Sequence, residues 1–197
     1  DRGFSFLLDG PLDMRMDPSQ GQRAADWIAR ETEDGIAKVL KALGEERFAK
    51  KIASAIVRER ELRPIETTKH LANIVASANP NWEKHKHPAT RSFQAIRLHI
   101  NGELDELKRV LELSLSRLAA GGRLIVISFH SLEDRIVKRF IRNGGRGKQL
   151  PKEIPVFHSR ECATLRSIGR LIRPGESELA LNPRARSAVM RVAERVS

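Results

Sequence analysis

Apolar side chains recur along the first part of this chain at intervals of three and four. Ile36, Val39, Leu40 and Leu43 form one stripe, Phe48, Ile52, Ala55 and Ile56 a second, and Leu71, Ile74, Val75 and Ala78 a third. Such spacing puts each set on one face of an α-helix. Thr32 and Thr67 stand where N-caps belong, and Gly44 where a helix would stop. Three or four short helices without an intervening strand predict an inserted helical lobe over residues 21–86. Ahead of it, residues 1–20 hold the turn Asp9-Gly10-Pro11 and then Asp13, Arg15 and Asp17. They read as a leading loop tied by local ion pairs and turn hydrogen bonds.

Farther on, apolar residues occupy positions 93, 96, 100, 104, 107, 111, 115 and 118. This is a long amphipathic helix, with a break at Asn101-Gly102 left open. It packs on a sheet rather than in a coiled coil, because Ala120-Gly121-Gly122 ends it just before a strand. Residues 124–127, Leu-Ile-Val-Ile, have the composition of a strand buried on both faces of a parallel sheet. A helix follows over 132–142, with Ser131 as its cap and Glu133 and Asp134 in its positive first turn. Gly144-Gly145-Arg146-Gly147 reads as a basic flexible loop. Residues 167–172 and 188–193 are two further strands that pair as a terminal hairpin at the sheet edge. The fold class is α/β, and residues 87–197 form its sheet-bearing part.

The length of 197 residues and 40% hydrophobic content allow one sizeable core, or a domain with a smaller lobe. A lone cysteine, Cys162, excludes an internal disulfide and fits a reducing compartment, and no apolar run approaches the roughly 18 residues of a membrane span. These features predict a cytoplasmic protein without a membrane partner. The chain opens on Asp1 without a charged-then-apolar leader, so its start reads as a cut end. Net charge is +11, and residues 135–197 carry 15 Lys and Arg against 5 Asp and Glu. A basic excess of this kind points to nucleic acid, whose neutralised phosphates release counterions. A solvated basic face is the plainer alternative, and a helix that reads DNA lacks any recognisable groove-binding module.

Candidate chemistry centres on His130 and Ser131, at the end of a strand where open α/β sheets bind ligands. His130 either lines a cleft or hydrogen-bonds a loop, and Ser131 is a cap rather than a nucleophile, since no base and orienting acid accompany it. Arg91 and Arg97 lie opposite the apolar stripe of their helix, available to phosphate or to neighbouring carboxylates. Trp27 and Trp82 offer faces on which an extruded base could stack, or else fill the core. His85 and His87 have no accompanying ligand cluster, so no metal is expected. Arg184 and Arg186, in the most basic region, are the stronger phosphate candidates.

Five blocks carry a resemblance. They are Arg2-Gly3-Phe4-Ser5-Phe6, residues 9–17 (Asp-Gly-Pro-Leu-Asp-Met-Arg-Met-Asp), His87-Pro88-Ala89-Thr90-Arg91, residues 127–134 (Ile-Ser-Phe-His-Ser-Leu-Glu-Asp), and Asn182-Pro183-Arg184-Ala185-Arg186-Ser187. In this order the chain resembles the bacterial small-subunit ribosomal RNA cytosine amino-methyltransferases, the RsmH or MraW family. The resemblance implies the second half of a Rossmann-like sheet with an inserted helical substrate-recognition lobe. It implies S-adenosyl-L-methionine as cofactor and a decoding-region cytidine of the small ribosomal subunit as substrate. That chemistry requires the weakly nucleophilic exocyclic amine to be held in line with the sulfonium methyl, with acceptors for its protons. In the family the glycine-rich cofactor loop, the ribose-binding acid and the polar segment near the amine all precede the position of Asp1. No cofactor-binding residue is therefore expected in this chain, and the catalytic residues are expected upstream of Asp1. The chain should bind RNA but not the cofactor, and be inactive alone. A non-catalytic basic RNA-binding domain is the alternative, and a homodimer remains open.

Overall fold

The helical stripes form as the spacing predicts in the computed structural model, which describes residues 3–79, 87–146 and 163–196. Five helices make up the first of two units, residues 1–103: α1 (Ala24–Arg30), α2 (Glu33–Gly44), α3 (Ala49–Leu62), α4 (Thr68–Ala78) and α5 (Thr90–Ile100). The Thr32 hydroxyl accepts from Gly35 N at 3.0 Å and the Thr67 hydroxyl from His70 N at 3.3 Å, so both expected caps are in place. Ile36, Leu40, Ile52, Ile56, Leu71 and Val75 are fully buried. Each such side chain contributes about 1.5–3 kcal/mol relative to exposure.

This unit reaches beyond residues 21–86 on both sides. Leu12 and Met14 of the leading loop are buried in the same core. The loop is held by Leu12 N donating to Glu66 O at 2.8 Å and Thr68 N donating to Gly10 O at 2.9 Å. On the other side, Phe93, Ala95 and Ile96 of α5 also enter this core. Gly44 makes the approach of α5 possible, since a Cβ there would lie 2.7 Å from Arg91 O and 3.1 Å from the Ala95 Cβ. Gly44 is thus the last helical residue rather than a stop signal. The left-handed position after it falls to Glu45, at φ 50°. The long helix does break at Asn101-Gly102, where Gly102 has φ 59°. The Asn101 amide accepts from Met16 N at 2.7 Å and donates to Met14 O at 2.8 Å.

The second unit, residues 104–197, takes in most of α6 (Glu103–Arg117), then β1 (Arg123–Ser128), α7 (Ser131–Arg146), β2 (Leu165–Ile172), α8 (Glu176–Leu181), a short 3-10 turn (Pro183–Ser187) and β3 (Val189–Arg195). Its three strands run in the order β1-β3-β2, with both pairings antiparallel. The two last strands pair as expected, but β3 is central and not at the edge. Nor is β1 buried on both faces. Leu124 and Val126 turn toward Leu111, Val137, Ile141, Leu165 and Ala193, whereas Ile125 and Ile127 are 57% and 56% exposed. Among the described residues, α6 and α7 cover the inner face, and α8 and the 3-10 turn border the outer face at Ile127, Ile172 and Met190. The outer face shows two apolar rows, Ile125, Val192, Ile168 and Ile127, Met190, Ile172, and one charged row, Arg123, Glu194, Arg166. In β2 the register shifts between Ile168 and Ile172 at Gly169, whose φ is 68°.

α7 continues through Arg146, so the expected glycine-rich loop is helical where it is described. Helical glycine costs about 1 kcal/mol against alanine. Here it admits β2, because a Cβ on Gly144 would sit 3.0 Å from the Leu165 side chain.

Candidate functional site

The β1–α7 junction is built by Glu133. Its Oε2 accepts from Phe129 N at 2.8 Å and from His130 N at 3.2 Å. In return, His130 Nδ1 accepts from Glu133 N at 3.4 Å, and His130 O accepts from Asp134 N at 3.2 Å. This is a capping box with a histidine in the place usually held by Ser or Thr. His130 is therefore the N-cap, and Ser131 is the first helical residue rather than the cap. The other ring nitrogen, His130 Nε2, lies 3.2 Å from Glu133 Oε1. Burial opposes ionisation of Glu133, but His130 and the two backbone N–H groups outweigh it and hold the carboxyl below its ordinary value.

The sequence placed Glu133 only in the positive first turn of a helix. Its reach back to the junction amides is the feature that reading missed, although Glu three residues after the cap is its written sign. The consequence for ligands is direct. A strand–helix turn binds anions or nucleotides through free backbone N–H groups, and two of those at this turn are held by Glu133.

One turn further on, Asp134 accepts from Arg191 Nε at 2.6 Å and Nη2 at 2.9 Å, joining α7 to the central strand. Arg191 holds the Asp134 carboxyl below the usual carboxylate range, against a smaller effect of burial. Beside the junction, a cavity of about 210 Å³ is bordered by Ile127, Phe129, Ile172, Asn182, Ala185 and Met190. Arg184 and Arg186 flank Ala185, and both are exposed. Neither forms an ion pair among the described residues. Asn182 Oδ1 accepts from Arg184 N at 3.2 Å and shapes the turn that presents them.

Other candidates are occupied. Trp27 is 5% exposed, with its ring 4.7 Å from that of His99, so it is core and presents no stacking face. Arg91 Nη1 donates to Glu45 O at 3.3 Å, fastening α5 to the end of α2. Arg97 binds Glu103 through two hydrogen bonds of 2.8 and 3.0 Å. His87 stacks on Phe6 at 4.6 Å and its Nδ1 accepts from Ala89 N. Trp82, His85 and Cys162 lie outside the described residues. No cluster of three or more His, Cys, Asp or Glu gathers among the described residues, and none of their helices is long and apolar enough to cross a membrane.

The leading-loop aspartates have local partners. Asp13 binds Arg15 at 2.7 and 2.9 Å, and Asp9 accepts from Lys69 N at 3.1 Å. Ser19 and Gln20 hold the Asp17 carboxyl down to about 2.

The family model described as the MraW methylase family matches residues 1–196. A protein of Chromohalobacter salexigens named ribosomal RNA small subunit methyltransferase H is 60% identical over 99% of this chain and 59% of its own length. Proteins of the same name from Thioalkalivibrio sulfidiphilus and Idiomarina loihiensis are 60% and 57% identical, over 100% of this chain and 63% of their own lengths. The chain thus spans about three-fifths of the curated relatives it matches.

Proposed function

This chain belongs to the MraW methylase family, and from that premise we propose that the whole protein methylates the exocyclic amine of a cytidine in the decoding region of small-subunit ribosomal RNA. The match of residues 1–196 to that family carries the reading. S-adenosyl-L-methionine is the methyl donor, and the protein works in the cytoplasm on the small ribosomal subunit.

Within that activity, this chain is the substrate side. Residues of the whole protein that precede Asp1 hold the donor and the acceptors for the amine protons. Two observations support the division. Glu133 already accepts from two of the junction amides. The other edge of β1 pairs with no strand among the described residues, which leaves room for the sheet to extend. The residues at hand bind and orient RNA. Arg184 and Arg186 supply charge for phosphates beside an apolar cleft bordered by Phe129, itself 55% exposed.

Calorimetric titration of the chain tests this assignment. S-adenosyl-L-methionine should give no heat of binding, while a small-subunit RNA fragment binds with salt-dependent affinity. Micromolar cofactor binding by the chain would overturn the division. A second measurement addresses the activity: the full-length protein, given labelled cofactor and small subunits, should yield N4-methylcytidine on nucleoside analysis, and label on any other base would refute the substrate.

A further inference from the structure

The helical unit, the lobe expected to recognise substrate, carries a basic groove of its own. Between α3 and α4 runs an open groove of about 560 Å³. One wall is Lys51, Ser54 and Arg58 of α3, at positions i, i+3 and i+7; the facing wall is His70, Asn73 and Ser77 of α4, at the same intervals. Identical spacing places each trio along one helix face. Ala55, Ile74 and Ala78 also line the groove and give it an apolar component.

The groove is mainly basic: Lys51, Arg58 and Arg63 line it with one carboxylate among the described residues, Glu59. Glu59 Oε1 pairs with Arg63 Nε at 3.0 Å and lies 3.0 Å from His70 Nε2. His70 first, then Arg63, holds that carboxyl below its ordinary value. Lys51 and Arg58 are exposed and meet no carboxylate among the described residues. Seven residues apart on a helix, they lie about 10 Å from one another along the groove.

We infer that the α3–α4 groove is a track for the sugar–phosphate backbone of a single RNA strand, with Lys51 and Arg58 on phosphates and Ser54, Asn73 and Ser77 on ribose hydroxyls and phosphate oxygens. The axes of packed helices lie about 8–10 Å apart, so the groove above their contact is a narrow one that a single strand can follow. Neutral donors interleaved with cations match a backbone that alternates phosphate and 2′-hydroxyl. An acidic peptide would use the cations and leave the hydroxyl and amide groups without a role. This inference rests on RNA being the substrate.

The test uses the whole chain and a labelled single-stranded oligoribonucleotide of mixed sequence, with affinity measured across a salt series. Lys51→Gln with Arg58→Gln should lower the slope of log affinity against log salt by about 1.4, near 0.7 for each phosphate no longer neutralised. Lys38→Gln with Lys41→Gln, an equal charge change on α2, should leave the slope as in the native chain, and Lys51→Arg with Arg58→Lys should retain it. A native slope in the groove variant, or an equal fall in the α2 variant, overturns the groove while the RNA reading stands. Displacement of RNA by poly-L-glutamate at equal charge would reassign the groove to an acidic protein. No RNA binding by the native chain would remove the RNA reading, and the groove with it.

Discussion

Asp134→Asn removes the link between α7 and the central strand while keeping nearly the same shape. The native carboxylate accepts from Arg191 at 2.6 and 2.9 Å, and the two side chains are only 22% and 20% exposed. Hydrogen bonds to charged groups contribute about 1.5–3 kcal/mol, and stranding one partner of a covered pair costs more. Residual water at this pair offsets part of that cost, so the expected loss in the second unit is about 2 kcal/mol. Both tryptophans, Trp27 and Trp82, precede that unit, and fluorescence would miss the change. Urea unfolding should be followed instead by far-ultraviolet circular dichroism and by the amide resonances of β3. Because Arg191 lowers the Asp134 pKa in the folded state, the native advantage is complete above the ordinary carboxylate value near 3.9. It fades as pH falls through the lower folded value. A gap under about 0.5 kcal/mol at neutral pH, or one unchanged on acidification to about pH 2, would refute the reasoning.

Three other substitutions probe the remaining assignments. Glu133→Ala should expose the Phe129 and His130 amides, speeding their hydrogen exchange by about tenfold for a cap worth about 1.4 kcal/mol; unchanged exchange would show that the junction is held by other groups. Trp27→Ala should destabilise the helical unit by about 3–5 kcal/mol in urea unfolding, while Trp27→Phe keeps RNA affinity, and a loss of affinity in a stable Phe variant would restore a stacking role. Arg184→Gln with Arg186→Gln should cut the salt slope of RNA binding by about 1.4, and an unaltered slope would confine both arginines to the turn they occupy.

Helices were legible because their signals are local. Thr32 and Thr67 cap as written, and the stripes at 36–43, 48–56 and 71–78 all face the helical core, with Val39, Leu43, Phe48, Ala55 and Ala78 partly buried at its margin. Unit boundaries were less legible, since α5 joins the helical core through Gly44, a tertiary contact that periodicity does not encode. Sheet order suffered likewise. The strands predicted at 167–172 and 188–193 form at 165–172 and 189–195, but the placement of β3 between β1 and β2 depends on pairings between residues far apart in sequence. The strand–helix boundary forms where the sequence predicts it, but with the capping roles exchanged. His130 caps, Ser131 begins the helix, and Glu133 fills the turn, because a histidine nitrogen serves as cap acceptor once a glutamate returns to its backbone. Gly144 misled for a related reason: a glycine that admits a neighbouring strand looks, in sequence, like a glycine that ends a helix.

The two apolar rows on the outer face of the sheet bear on how this unit behaves in solution. β1, Arg-Leu-Ile-Val-Ile-Ser, has no proline, carries its one charge at its first position, and has an edge free of any strand among the described residues. Such a strand is a template for intermolecular strand addition. The row of Arg123, Glu194 and Arg166 guards one end of that surface, leaving Ile125, Ile127 and Phe129 bare toward the other. Self-association through this edge and face is therefore the expected behaviour of the chain at high concentration.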